Sequence, residues 1–119
     1  MTGAEYILEE RKRQIEEEGW TAEHDDEYTE GQLVDAACCY ALFSASGYMK
    51  GLREIRRRHF DRFLKILDIY WPWDRKWWKP SCTDDINGRI LECIKAGALM
   101  AAEIDRLKRL EQSGNVDKI

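Results

Sequence analysis

The chain has 119 residues, enough for one small domain with a modest core. A hydrophobic content of 44% excludes a wholly disordered polymer, and 35% charged residues with a mean hydropathy of −0.63 point to a soluble one. The formal net charge of −4 hides an asymmetry: residues 1–47 carry twelve acids and three bases, whereas residues 48–119 carry eleven acids and sixteen bases.

Thr2-x-x-Glu5 is a capping-box start, and the helix it opens is expected to run to Gly19, with a thin apolar stripe of Ile7, Leu8 and Ile15. Trp20 to Tyr28 reads as an acidic connection. Thr29-x-x-Gln32 is a second capping box, predicting a helix through Phe43 with Leu33, Ala36, Ala37, Tyr40 and Ala41 on one side. Ser44 to Gly47 reads as a break. From Tyr48 to Tyr70 the spacing of Leu52, Ile55, Phe60, Phe63, Leu64 and Leu67 predicts a long amphipathic helix with a basic outer face.

The segment Trp71-Pro72-Trp73-Asp74-Arg75-Lys76-Trp77-Trp78-Lys79-Pro80 holds four of the five tryptophans and both prolines. Two prolines discourage helix, so this is a ring-rich loop. The last helix begins between Ser81 and Asn87, and Ile86, Ile90, Ile94, Gly97, Ala101, Ile104 and Leu107 are expected on its core face. No strand pattern occurs. The expected fold is all-α: a bundle of about four helices over residues 1–112, a Trp/Pro-rich loop before the last helix, and a flexible tail at 113–119.

Four cysteines (Cys38, Cys39, Cys82 and Cys93) show no zinc-ligand spacing and read as buried, reduced thiols. No apolar run is long enough to cross a bilayer, and the acidic N-terminus does not resemble a secretory signal, so a cytoplasmic protein is expected.

Three constellations carry candidate chemistry. Glu16, Glu17 and Glu18 close the first helix at the negative end of its dipole, and Glu23, His24, Asp25, Asp26 and Glu27 follow. Such oxygen donors suit Mg²⁺, with His24 as ligand or base; a solvated loop paired with the basic helix is the alternative. The basic face around Arg56, Arg57 and Arg58 reads as a solvated or docking surface, and a pI near 5.3 argues against nucleic acid. The Trp loop reads either as a plug at the bundle's open end or as a stacking platform beside cations. Trp20, His24, Trp73, Trp78, Lys79 and Lys95 are the candidate ligand-binding residues.

The blocks Glu17-Glu18-Gly19-Trp20-Thr21-Ala22-Glu23-His24-Asp25-Asp26, Ala36-Ala37-Cys38-Cys39-Tyr40-Ala41, Trp71-Pro72-Trp73 with Trp78-Lys79-Pro80, and Lys95-Ala96-Gly97-Ala98-Leu99 through Leu107 together resemble a family of small phage and prophage proteins. That resemblance implies a phage or mobile-element accessory protein. A weaker one is to MazG-type all-α nucleoside triphosphate pyrophosphatases, whose E-x-x-E and E-x-x-D helices hold Mg²⁺. Here Gln14-x-x-Glu17 and Gln32-x-x-Asp35 put amides at both leading positions, so only Glu17 and Asp35 match, and the resemblance implies Glu17 and Asp35 as metal ligands with Glu18 and Asp26 as substitutes.

The leading expectation is a phage accessory protein that binds a nucleotide-like or other anionic small molecule, sequestering a host defence signal. The alternatives are a protein–protein interaction module for a host factor and a Mg²⁺-dependent pyrophosphatase. A homodimer is expected.

Overall fold

The computed structural model describes residues 1–46, 65–81 and 85–114. They form α1 (Gly3–Glu16), the single turn α2 (Ala22–Asp25), α3 (Gln32–Ser46), a helical stretch α4 over 65–70, a 3-10 turn (Arg75–Trp77) and α5 (Ile86–Gln112). The protein is all-α, with no strand among the described residues. None of its described helices is long and apolar enough to cross a membrane. The basic face at residues 50–62, read as a solvated or docking surface, lies outside the described residues, as do the predicted helix before residue 65, Cys82 and residues 115–119 of the expected tail.

α1 begins with the expected capping box: the Thr2 hydroxyl accepts from the Glu5 N–H, and the Glu5 carboxylate accepts from the Thr2 N–H. Its end is set by Gly19, whose φ of 73° turns the chain so that the Trp20 N–H returns to the Gln14 carbonyl at 3.0 Å. The acidic connection contains a helical turn the periodicity did not reveal, because four residues are too few to show a period. Thr21 caps this α2 turn through the His24 N–H.

α3 starts later than Thr29. Gly31, with φ 82°, makes the entry, and the Gln32 side chain accepts from the Glu30 N–H instead of completing a capping box. α3 also runs through Ser44 to Ser46. The buried Ser44 hydroxyl donates to the Arg89 carbonyl of α5 at 3.0 Å, so a residue that reads as a break becomes a helix–helix contact. Asp85 is the N-cap of α5, accepting from the Gly88 N–H.

α5 packs against α3, α1 and α2. The core consists of Leu33, Ala36, Ala37, Cys39 and Tyr40 of α3, Leu67, Trp71, and Ala96, Leu99 and Ala102 of α5. Three fully buried leucines contribute about 1.5–3 kcal/mol each. The remaining positions are largely alanines, which let α3 and α5 approach closely.

Two apolar stripes are corrected by this packing. On α5, Ile86, Ile90 and Ile104 are exposed, while Glu92, Ala96, Ala98, Leu99, Ala102, Glu103 and Arg106 are buried. Buried polar residues are tolerated because they are paired: Arg106 Nε donates to Glu103 at 2.5 Å, and Glu92 accepts from the Ser81 N–H at 2.5 Å. On α1, Leu8 and Ile15 are exposed and the buried side chains are Arg11 and Gln14. The thiols are also not uniformly buried. Cys39 is in the core, where burial pushes its thiol up to about 11, but Cys38 and Cys93 are exposed.

Gly97 sets the approach of α1 to α5. A Cβ there would lie 2.5 Å from Ile7 Cδ1 and 2.8 Å from Ile7 Cγ1. Gly97→Ala gains about 1 kcal/mol of helix propensity and meets an overpacking cost of about 1–3 kcal/mol. Urea denaturation is expected to show destabilisation in the native background and stabilisation in an Ile7→Ala background, where the obstructing atoms are gone. The same sign in both would contradict this contact.

Candidate functional site

The end of α1, the α2 turn, α3, the Trp-Pro loop and α5 surround one cavity of about 450 Å³. That is within the usual range for small-molecule sites. α1 and the residues after it give Glu10, Arg13, Gln14, Glu18 and Trp20, and the α2 region gives His24 and Tyr28. Tyr40 comes from α3, Trp71, Trp73, Asp74, Trp77 and Lys79 from the loop, and Lys95 and Leu99 from α5.

Aromatic rings form the frame of the wall. Trp20 stacks on His24 with an interplanar angle of 9°, and His24 and Tyr28 make a T-shaped contact at 5.2 Å between ring centroids. Tyr28 touches Trp73 at 5.3 Å, Trp73 touches Trp71 at 5.4 Å, and Trp71 touches Tyr40 at 5.8 Å. Edge and stacked geometries at these separations are favourable, so each ring fixes its neighbour. The relay also joins the acidic turn to the Trp loop across the cavity. Trp71 donates its indole N–H to the Asp74 carbonyl at 3.1 Å. The buried indole N–H of Trp73 has no partner among the described residues.

Polar groups in the wall fall into two sets. Arg13 binds Glu10 at 2.7 Å and Glu18 at 2.9 Å, and the Glu10 bond above all holds its guanidinium charge above the usual range. Asp74 is engaged as well, accepting from the Lys76 N–H at the start of the 3-10 turn. Each wall carboxylate is therefore already hydrogen-bonded. Lys79 and Lys95, by contrast, have no carboxylate within ion-pair distance among the described residues. Lys95 donates to the Lys79 carbonyl and sits 5.3 Å from the Tyr40 ring centre, and burial lowers its pKa from the ordinary value. Lys79 sits over Trp77 at 5.7 Å, and its backbone N–H donates to the Tyr40 hydroxyl at 3.3 Å.

Behind the cavity wall is Asp25, with no exposed surface. Its Oδ2 accepts from Arg11 at 2.6 Å, and its Oδ1 lies 2.9 Å from His24 Nδ1. Arg11 also reaches the Gln14 side chain at 3.4 Å. One carboxylate thus ties α1 to α2 and anchors the histidine that faces the cavity.

Of the six expected ligand residues, Trp20, His24, Trp73, Lys79 and Lys95 line this cavity, and Trp78 does not. Trp78 packs on the core between Tyr40, Phe43 and Trp71, and its neighbour Trp77 takes the place in the wall. The four expected metal ligands are not brought together. Glu17 and Glu18 both approach Arg13 Nη1, at 3.8 and 2.9 Å, Asp26 pairs with Arg109 of α5 at 2.7 Å, and Asp35 is in the first turn of α3. No group of three or more His, Cys, Asp or Glu side chains is placed to hold a metal among the described residues.

Sequence reasoning missed Tyr28, Tyr40, Glu10 and Arg13 as wall residues. The spacing of Glu10, Arg13 and Gln14 on one helical face was a usable signal, whereas Tyr40 was expected only as core. No protein family, curated protein or solved structure matches the chain.

Removing one partner of a buried ion pair leaves the other charge uncompensated. Asp25→Asn is accordingly expected to cost about 3–5 kcal/mol in chemical denaturation, by stranding Arg11. Asp26→Asn breaks a half-exposed pair and is expected to cost about 0.5 kcal/mol. Equal costs for the two would remove Asp25 from its structural role.

Proposed function

We propose that this protein binds a small, flat, anionic ligand of the nucleotide class in the ring-lined cavity. The observation that carries this reading is the composition of the wall: a relay of aromatic rings beside two lysines without carboxylate partners among the described residues. Rings supply stacking surface for a base, and ammonium groups supply charge for a phosphate or carboxylate. The ring frame also favours a preformed site, which lowers the entropy cost of binding. Together with the resemblance to phage accessory proteins, this supports a role in sequestering a host nucleotide signal.

Binding without turnover is the simpler reading, because the carboxylates that a MazG-type reaction needs are spread over three places. A docking role has one observation in its favour: Ile69, Tyr70 and Trp77 are exposed at 73%, 50% and 56%. Trp77 belongs to the cavity wall as well, so the ring exposure there does not by itself call for a protein partner.

Titration calorimetry with nucleoside mono- and triphosphates is expected to give saturable binding without added metal. Lys79→Ala and Lys95→Ala are each expected to weaken it by about tenfold or more, the usual loss for a hydrogen bond to a charged group. No binding of any nucleotide, or unchanged affinity in both variants, would contradict the assignment.

The pH dependence follows from Lys95. Burial lowers its pKa in the free protein, and a bound anion raises it, so binding favours the protonated amine. Affinity is expected to be full below the free-state pKa and to fall as pH rises through the bound-state pKa. Lys95→Arg, which stays charged, is expected to remove most of that alkaline loss. An alkaline loss that persists unchanged in Lys95→Arg would assign it to another group.

A further inference from the structure

We infer that His24 is a fixed hydrogen-bond acceptor of the cavity, held as the Nδ1–H tautomer by the Arg11–Asp25 pair, and that it selects ligands bringing a ring N–H to its Nε2. The ligand half of this inference rests on the nucleotide reading above. The tautomer half does not.

A carboxylate paired with a guanidinium is an acceptor on both oxygens. Arg11 occupies Asp25 Oδ2 at 2.6 Å, and the only atom offered to Oδ1 among the described residues is His24 Nδ1 at 2.9 Å. Nδ1 must therefore be the donor. In the neutral ring this leaves the lone pair on Nε2, the nitrogen at the other side of the imidazole.

Nothing in the described residues uses that lone pair, and the ring lines the cavity. Its orientation is fixed by more than one contact. Trp20 covers one face at 9° from parallel, Tyr28 meets the ring in a T-shaped contact, and Arg109 of α5 reaches the Ala22 carbonyl and Asp26 of the same turn. A histidine that only filled space would not need a wholly buried carboxylate behind it, because burying such a charge is costly unless it is paired. The arrangement of acceptor carboxylate, oriented imidazole and free second nitrogen has the logic by which proteins fix a tautomer for recognition.

A neutral imidazole accepts one proton in its own plane. Guanine N1–H and uracil N3–H are ring donors that lie in the base plane and suit it. Methylation at that nitrogen removes the proton and adds bulk at the same point.

Two measurements decide the matter. The first is a long-range ¹H–¹⁵N spectrum of the free, labelled protein at alkaline pH, with His59→Asn used to assign the signals. It is expected to show His24 with a protonated Nδ1 and a bare Nε2, a pattern lost in Asp25→Asn even where circular dichroism shows that variant folded. A protonated Nε2 in the wild type would overturn the inference.

The second compares guanosine 5′-monophosphate with its N1-methyl form, and uridine 5′-monophosphate with its N3-methyl form. Methylation is expected to weaken binding by about tenfold in the wild type and by less than about twofold in His24→Ala. Equal binding of methylated and unmethylated nucleotides in the wild type would overturn the ligand half. If neither parent nucleotide binds while the tautomer is as expected, the nucleobase N–H falls with the nucleotide reading and the Arg11–Asp25–His24 lock stands.

Discussion

Asp25 has no solvent exposure, and the cavity side of the protein is arranged around its two oxygens. One takes the Arg11 guanidinium from α1 and the other meets the His24 ring. A buried carboxylate held this way does little for net stability, because desolvation offsets much of the attraction. It does specify geometry. α1 and the α2 turn are locked in one register, and the ring relay that leads through Tyr28 to Trp73 and Trp71 starts from a histidine that cannot rotate freely.

The rest of the fold supports that arrangement from the opposite side. Alanines on α3 and α5 bring those helices close, and Tyr40, Trp71 and Trp78 cluster where the Trp-Pro loop docks. Lys95 leaves the same helix that buries Leu99, so the charge facing the cavity is positioned by the core itself. The core and the candidate site share residues, and Tyr40, Trp71 and Leu99 belong to both. This sharing explains why a plug and a stacking platform were hard to separate from sequence. The Trp loop serves the core and the cavity wall: Trp78 packs inward, Trp71 does both, and Trp73 and Trp77 face the cavity.

The all-α class, the first capping box and the helices α1, α3 and α5 were legible in residue type and spacing. Five of six expected ligand residues line one cavity because bulky rings and isolated cations flanking helix ends are conspicuous in any sequence. What was not legible has specific physical causes. The α5 core face was misjudged because isoleucine content outweighed the small residues that set helix approach. Arg11 and Gln14 were not expected inside α1, since Arg11 pairs with a carboxylate fourteen positions away and Gln14 bonds Arg11 in turn. Trp77 and Trp78 are adjacent, and the 3-10 turn capped by Asp74 decides which one faces the cavity.

The central claim is that the ring wall is where the ligand sits. The most direct test is the indole N–H region of the ¹H–¹⁵N spectrum, with its five tryptophan signals assigned by single Trp→Phe variants, recorded during titration with guanosine and uridine 5′-monophosphates. The account predicts that Trp20, Trp73 and Trp77 shift together with one apparent affinity while Trp78 stays within the spread of non-cavity signals. Shifts led by Trp78, or no tryptophan shift while a nucleotide binds elsewhere, would contradict it.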